Sequence, residues 1–234
     1  MTFPTWISTT ETVTRANGTG FTANFPASGI QSGDLIIVIL ERQVTKTQSF
    51  SLSSGPTMVG TAISGTFGTS TSSGFIQVYK RVADGTENGA VQNWTSSFNS
   101  AGFCDAFATV MVFRGADTTL GVVGWNGTVD NGNSNSPDPS ATSTLTAKDY
   151  LWVAYACSAT ASSVSGFPSN YTTGHSSNAV SGGSCGSAIR ALNAASENPG
   201  AFTFSVSGQW GAFAFAIAPA PVAVAGGTYA IIIS

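Results

Sequence analysis

The side chains here that could do chemistry are one histidine, a few carboxylates set in turns, and three cysteines. His175 lies in Thr172-Thr173-Gly174-His175-Ser176-Ser177. A nucleophilic triad needs a carboxylate to orient the imidazole, and none stands near it in sequence, so His175 reads as a solvated loop residue. Paired acids could hydrolyse a glycoside. Asp84 and Glu87 share the turn Ala83-Asp84-Gly85-Thr86-Glu87-Asn88-Gly89-Ala90, and Glu197 recurs in Ala194-Ala195-Ser196-Glu197-Asn198-Pro199-Gly200-Ala201 without an Asp partner. That recurrence points to carboxylates that accept backbone amides and fix turns, not to catalysis. Residues 130–138, Asp-Asn-Gly-Asn-Ser-Asn-Ser-Pro-Asp, offer oxygen ligands to calcium. They lack the glycine and the bidentate glutamate of a calcium loop and read as a flexible linker. No catalytic residue, metal ligand or cofactor-binding residue is therefore expected, and the chain reads as non-enzymatic.

Cys104, Cys157 and Cys185 are odd in number and lack C-x-x-C spacing, so neither a disulfide framework nor a zinc site is indicated. A Cys157–Cys185 bridge stays open, because spacing does not fix its geometry. The 234 residues are 42% hydrophobic and 8% charged, so Ser, Thr, Asn and Gly must wet the surface. The net charge is −3 and the eight Lys and Arg are scattered, which excludes phosphate-backbone binding as a role. No basic and apolar leader opens the sequence. Residues 211–233 approach the length of a membrane span, but Pro219, Pro221 and Gly226-Gly227 interrupt them, and Phe213, Phe215 and Ile217 alternate with Ala at strand period. No membrane partner is expected.

The elements that must carry these residues are strands. Gly33-Asp34-Leu35-Ile36-Ile37-Val38-Ile39-Leu40 returns as Lys148-Asp149-Tyr150-Leu151-Trp152-Val153-Ala154-Tyr155, each a polar turn feeding an unbroken apolar run. Such runs read as strands buried on both faces. The matched turns at Glu87 and Glu197 follow, and each half closes on a long apolar strand at 106–113 and 211–218. Further strands are expected at 5–14, 21–25, 57–63 and 74–82, with exposed loops at 43–55 and 160–170 and a linker at 121–146. No segment has helical period and caps. The fold class is all-β: a jelly-roll-like sandwich over residues 1–221 built from two duplicated halves, about 30–117 and 145–220. Each half would supply strands to both sheets, Asp34 matching Asp149 and Glu87 matching Glu197. Two small sandwiches in tandem are the runner-up.

Trp152 and Trp210 lie in apolar strands and read as core. Trp125, between Gly124 and Asn126-Gly127, is expected to be exposed and suited to a sugar or a protein partner. Residues 222–234 form a C-terminal β arm in which Gly226-Gly227 separates two β-prone runs. An isolated hairpin needs cover, so Tyr229, Ile231, Ile232 and Ile233 are interface candidates toward a neighbouring subunit, together with Phe3, Trp6 and Trp125. The alternative is that the arm folds back as an edge strand of its own sandwich.

Gly33-Asp34-Leu35-Ile36-Ile37-Val38, Tyr79-Lys80-Arg81-Val82-Ala83-Asp84-Gly85-Thr86-Glu87, Asn93-Trp94-Thr95 and Val112-Phe113-Arg114-Gly115-Ala116-Asp117 recur in this order in a family of β-sandwich proteins from tailed bacteriophages, which the chain resembles over most of residues 30–220. The resemblance implies a virion component on the outer surface of a phage particle: a capsid decoration or cement protein, or else a tail fibre or spike domain that binds a host-surface glycan. It implies the major capsid protein or other virion proteins as partners, and a homo-oligomer, a trimer being favoured. It brings no catalytic residues and no cofactor.

Overall fold

The computed structural model describes residues 2–16, 20–43, 49–69, 72–96, 104–160, 162–178 and 182–222. The apolar runs become central strands because both of their faces meet a core. In Leu35–Gln43 (β3), Leu35, Ile37 and Ile39 enter one cluster while Ile36, Val38 and Leu40 enter another, which removes the polar alternation a half-solvated strand would show. Lys148–Ser158 (β11) behaves alike, with Leu151, Val153, Tyr155 and Cys157 on one side and Trp152, Ala154 and Ala156 on the other. Among the described residues every regular element is a strand and none is a helix.

The first half contributes Thr5–Ala16 (β1), Gly20–Asn24 (β2), β3, Phe50–Ser54 (β4), Val59–Thr69 (β5), Ser72–Val82 (β6), Val91–Ser96 (β7) and Cys104–Arg114 (β8). They form a five-stranded sheet in the order β1-β8-β3-β6-β5 and a three-stranded sheet β2-β7-β4. The second half contributes Val122–Val123 (β9), Asp130–Ser134 (β10), β11, Val164–Gly166 (β12), Thr173–Asn178 (β13), Ser184–Ala194 (β14), Thr203–Phe204 (β15) and Gly208–Ile217 (β16). Its large sheet runs β10-β16-β11-β14-β13, with β9 beside β16, and its small sheet is β12-β15. Asn135 and Pro137 accept the amides of Phe204 and Phe202, so residues 135–137 stand to β15 as β2 stands to β7. The two halves trace one connectivity.

The two large sheets pack face to face. Their shared core holds Leu35, Ile37, Phe67, Val78, Met111 and Phe113 from the first half and Val153, Tyr155, Ile189, Phe213, Phe215 and Ile217 from the second. Each small sheet covers the outer face of its own large sheet, through clusters built on Phe21, Phe50 and Trp94 in one case and Phe202, Phe204 and Trp210 in the other. β1 meets β13 across the seam and β5 meets β10. Since β1 and β10 hold equivalent places, as do β13 and β5, the halves are related as in an isologous, two-fold contact. Phe67 of β5 fastens the seam: a Cβ added at Gly74 in its own sheet or at Gly211 in the opposite sheet would lie within 2.2 Å or 2.6 Å of its ring. Both positions are glycine because the ring occupies that space.

Several expectations change. The halves do not share sheets; each builds its own pair, and what they share is a core. Residues 121–146 are not a plain linker, since β9 and β10 pair with β16 there. The small sheets place β4 and β12 inside the stretches expected to be loops. Asp34 does not match Asp149. Aligned on their inward residues, Leu35 corresponds to Leu151 and Asp34 to Tyr150, and a one-residue slip would turn every side chain to the wrong core. Cys157 and Cys185 face each other in register between β11 and β14 as buried free thiols. Residues 211–217 lie in strand β16, and no helix among the described residues is long and apolar enough to cross a membrane. Tyr229, Ile231, Ile232 and Ile233, with the rest of the expected arm beyond Val222, lie outside the described residues.

Candidate functional site

The turn acids hold strand ends. Glu87 is buried and accepts Arg81 Nε at 2.6 Å and the amides of Asp84 and Gly85 at 3.0 Å. Burial alone would raise its pKa; the Arg81 bond and the amide bonds outweigh it and hold Glu87 below the usual value. Asp84 is lowered chiefly by its bonds from the Thr86 hydroxyl and amide, and it also takes Arg81 at 2.6 Å. In the second half Glu197 accepts Arg190 at 2.8 Å while its backbone exchanges hydrogen bonds with Thr142. Glu87 and Glu197 thus play one role in the two halves. Asp34 takes both Nε and an Nη of Arg114, tying the start of β3 to the end of β8. Asp149 accepts a bond from Asn193 Nδ2 across the β11–β14 pair. Asp130 binds the amide and hydroxyl of Ser140, and no His, Cys, Asp and Glu cluster suited to a metal exists among the described residues.

His175 is on strand β13, not in a loop. Its ring lies 4.8 Å from that of Trp6 on β1, its Nε2 is buried without a partner, and burial lowers its pKa. Trp6, whose indole donates to Thr9, is half-buried against the shared core. It therefore serves a contact between the halves of this chain. Phe3 is 39% exposed at the first strand's entry.

Glu41 on β3 was not legible as special. It follows the apolar run, points into the shared core and is fully buried, and neither carboxyl oxygen has a hydrogen-bond partner among the described residues. Burial pushes its pKa well above the ordinary range, the Asp105 charge adds to this and Arg42 opposes it. Glu11 on β1, facing the same core end, is raised by burial to about 7. Burial likewise holds the thiols of Cys157 and Cys185 far above their usual value, so neither is a ready nucleophile.

The concave site is a cleft of about 340 Å3 at the seam, lined by Gly60, Thr61, Ala62, Ile63, Lys80, Leu120, Val122, Val123, Gly124 and Trp125. Two irregularities facing each other create it. On β5 the pairing with β6 slips between Gly60 and Ser64, which bulges residues 61–63 out of the ladder. Opposite, where β1 follows β8 with one register shift between Trp6 and Ser8, residues 124–129 interrupt its counterpart between β9 and β10. Trp125 Nε1 donating to Thr128 O, Asn126 Nδ2 donating to Ala141 O and Ser143 N donating to Gly124 O shape that excursion. Trp125 is consequently half-buried, a wall of the cleft rather than an exposed platform. Lys80 Nζ donates to the carbonyls of Thr119 and Leu120 at 3.3 and 3.4 Å. The turn before it needs glycine at Gly121, where φ is +69° and a Cβ would strike the Lys80 stem.

Of the residues singled out in the sequence, only Trp125 belongs to this cleft. Lys80, Thr61 and Leu120 escaped notice, although Gly60 and Gly65 inside an edge strand are the kind of signal that marks a bulge. No family model, no curated protein and no solved structure matches the chain.

Proposed function

We propose that this chain is a non-enzymatic structural protein of a tailed-phage virion, a decoration protein that sits on the outer surface of the capsid and stabilises its lattice as a homo-oligomer. One observation carries the reading. The charged residues of the motifs quoted for that family, Asp34, Lys80, Arg81, Asp84, Glu87, Arg114 and Asp117, are engaged in holding strand ends and turns, Lys80 through the carbonyls and Asp117 through the amides of Thr119 and Leu120. Motifs that recur to hold a sandwich closed, with no chemistry attached to them, suit a protein whose task is mechanical. The shared core between the halves supports the same reading, because it makes one stiff block from two small sandwiches that would each be marginal alone.

Gold-labelled antibody against the chain on intact particles tests the proposal. Regular labelling over the head, together with loss of head stability when the protein is stripped, is the expected result. Labelling confined to the tail tip would overturn it in favour of a fibre domain, and the absence of label from particles would remove the virion reading altogether.

A further inference from the structure

We propose that the seam cleft is the docking site of this chain's own C-terminal segment, residues 223–234. The cleft walls carry the apolar side chains of Ile63, Leu120, Val122, Val123 and Trp125 beside polar surface from Thr61, Lys80 and the backbone. Its polar side chains already have partners: Lys80 Nζ holds the Thr119 and Leu120 carbonyls, Thr61 Oγ1 donates to Val78 O, and Trp125 Nε1 donates to Thr128 O.

The rim is apolar as well. Val59, Val82 and Leu120 are 59%, 47% and 49% exposed. Val59 is the cross-strand neighbour of Lys80 and Val82 lies two residues further along β6 on the same side, while the Leu120 carbonyl takes the Lys80 ammonium. Three large exposed aliphatic side chains around one cleft make a rim that calls for cover. The segment Ala223-Val224-Ala225-Gly226-Gly227-Thr228-Tyr229-Ala230-Ile231-Ile232-Ile233-Ser234 has no charge and ends in the bulky apolar residues such a surface takes.

The place where the described chain ends selects this occupant. Ala220 N donates to Gly115 O at 2.8 Å and Pro219 bridges to Ala116, so Val222 emerges beside the turn that runs on to Leu120. Leu120 lies five residues on from Gly115, at most roughly 17 Å of chain, and residues 223–228 alone extend to about 20 Å. A segment tethered at that distance has an effective concentration in the millimolar range. At ordinary protein concentrations it excludes the same segment of a second copy. The inference goes beyond the virion reading and does not depend on it.

Chymotryptic cleavage after Tyr229 in the full-length chain, followed by mass spectrometry, is the test. Cleavage is expected to be slow in the wild type, at least about tenfold faster in Leu120→Asp and Trp125→Ala, and unchanged in a control, Val206→Asp. A labelled peptide of residues 222–234 is expected to bind a chain truncated after Val222, and neither the full-length protein nor the truncated Leu120→Asp variant. Equal cleavage in wild type and Leu120→Asp would overturn the proposal. So would protection that grows with protein concentration, which would place a neighbour's segment in the cleft, or peptide binding that is equal with and without the tail.

Discussion

Replacing Glu41 with Gln should flatten the pH dependence of stability between about pH 5 and 7. In the fold Glu41 is sealed in the core between the halves, and burial favours its protonated form. In the unfolded chain it ionises above its ordinary value of 4.5. The protonated group's contribution is therefore fully present below that pH and is lost as pH rises, by up to about 1.4 kcal/mol per pH unit for one proton. Over two units the loss is roughly 3 kcal/mol, a large share of the 5–15 kcal/mol that typically holds a domain together. Glu11 adds its own loss of the same sign, ending near pH 7 where its folded pKa lies. Gln cannot ionise in either state, so Glu41→Gln should remove one proton's worth of slope and leave that of Glu11. Urea unfolding at half-unit pH intervals measures this: the variant should gain on the wild type steadily from pH 5 to pH 7, by at most about 3 kcal/mol. The offset at pH 5 reports how the amide packs, and the divergence above it reports the charge. Parallel stability curves from pH 5 to 7 would show that Glu41 is ionised or solvated in the fold, and the reasoning would fail.

Glu87→Gln should cost about 2–4 kcal/mol, since it removes the charge paired with Arg81 and replaces one of the two buried acceptor oxygens by a donor that faces other donors, while Asp84→Asn at the exposed end should cost much less; chemical denaturation of both variants checks the ranking. Because the folded pKa of Glu87 is depressed, its contribution is present above the ordinary carboxyl range and is lost as pH falls through the lowered value, so the wild type and Glu87→Gln should converge in stability in acid. Phe67→Ala should cost about 3–5 kcal/mol by emptying the space between Gly74 and Gly211, and Gly211→Ala about 1–3 kcal/mol by filling it; a thermal melt that moved for neither would show that the seam is not fastened there. Cys157 and Cys185 should resist a thiol reagent in the native protein and both react in denaturant. A disulfide between them in native protein would contradict the free pair.

Trp125 shows how far local reading reaches. Its neighbours Gly124, Asn126 and Gly127 correctly announce a turn, and a tryptophan in a polar turn reads as exposed. What half-buries it is β5, more than sixty residues away, whose bulge brings residues 61–63 up to the excursion at 124–129. The same holds for Trp6 and His175, which lie 169 positions apart and meet only because β1 and β13 are the facing edges of two stacked sheets. β10 was missed for a related reason. Its Asp, Asn, Gly and Ser side chains lie half in and half out of solvent and carry no apolar alternation, so its strand character comes from the backbone partner β16 supplies.

The amino-acid sequence by itself determined the secondary structure class and the two central strands. These depend on β-branched runs, turn chemistry and repeated acids, all of them properties of short stretches. Tertiary structure decided how the halves meet. Strands buried on both faces record that both faces are covered, without recording by what, and covering by a neighbouring sheet of the same half or by the other half leaves the same apolar pattern. Only the stacking of the large sheets through Leu35, Phe67, Val153 and Phe213 separates those cases, and with it come the sealed carboxyl of Glu41 and the cleft beside Trp125.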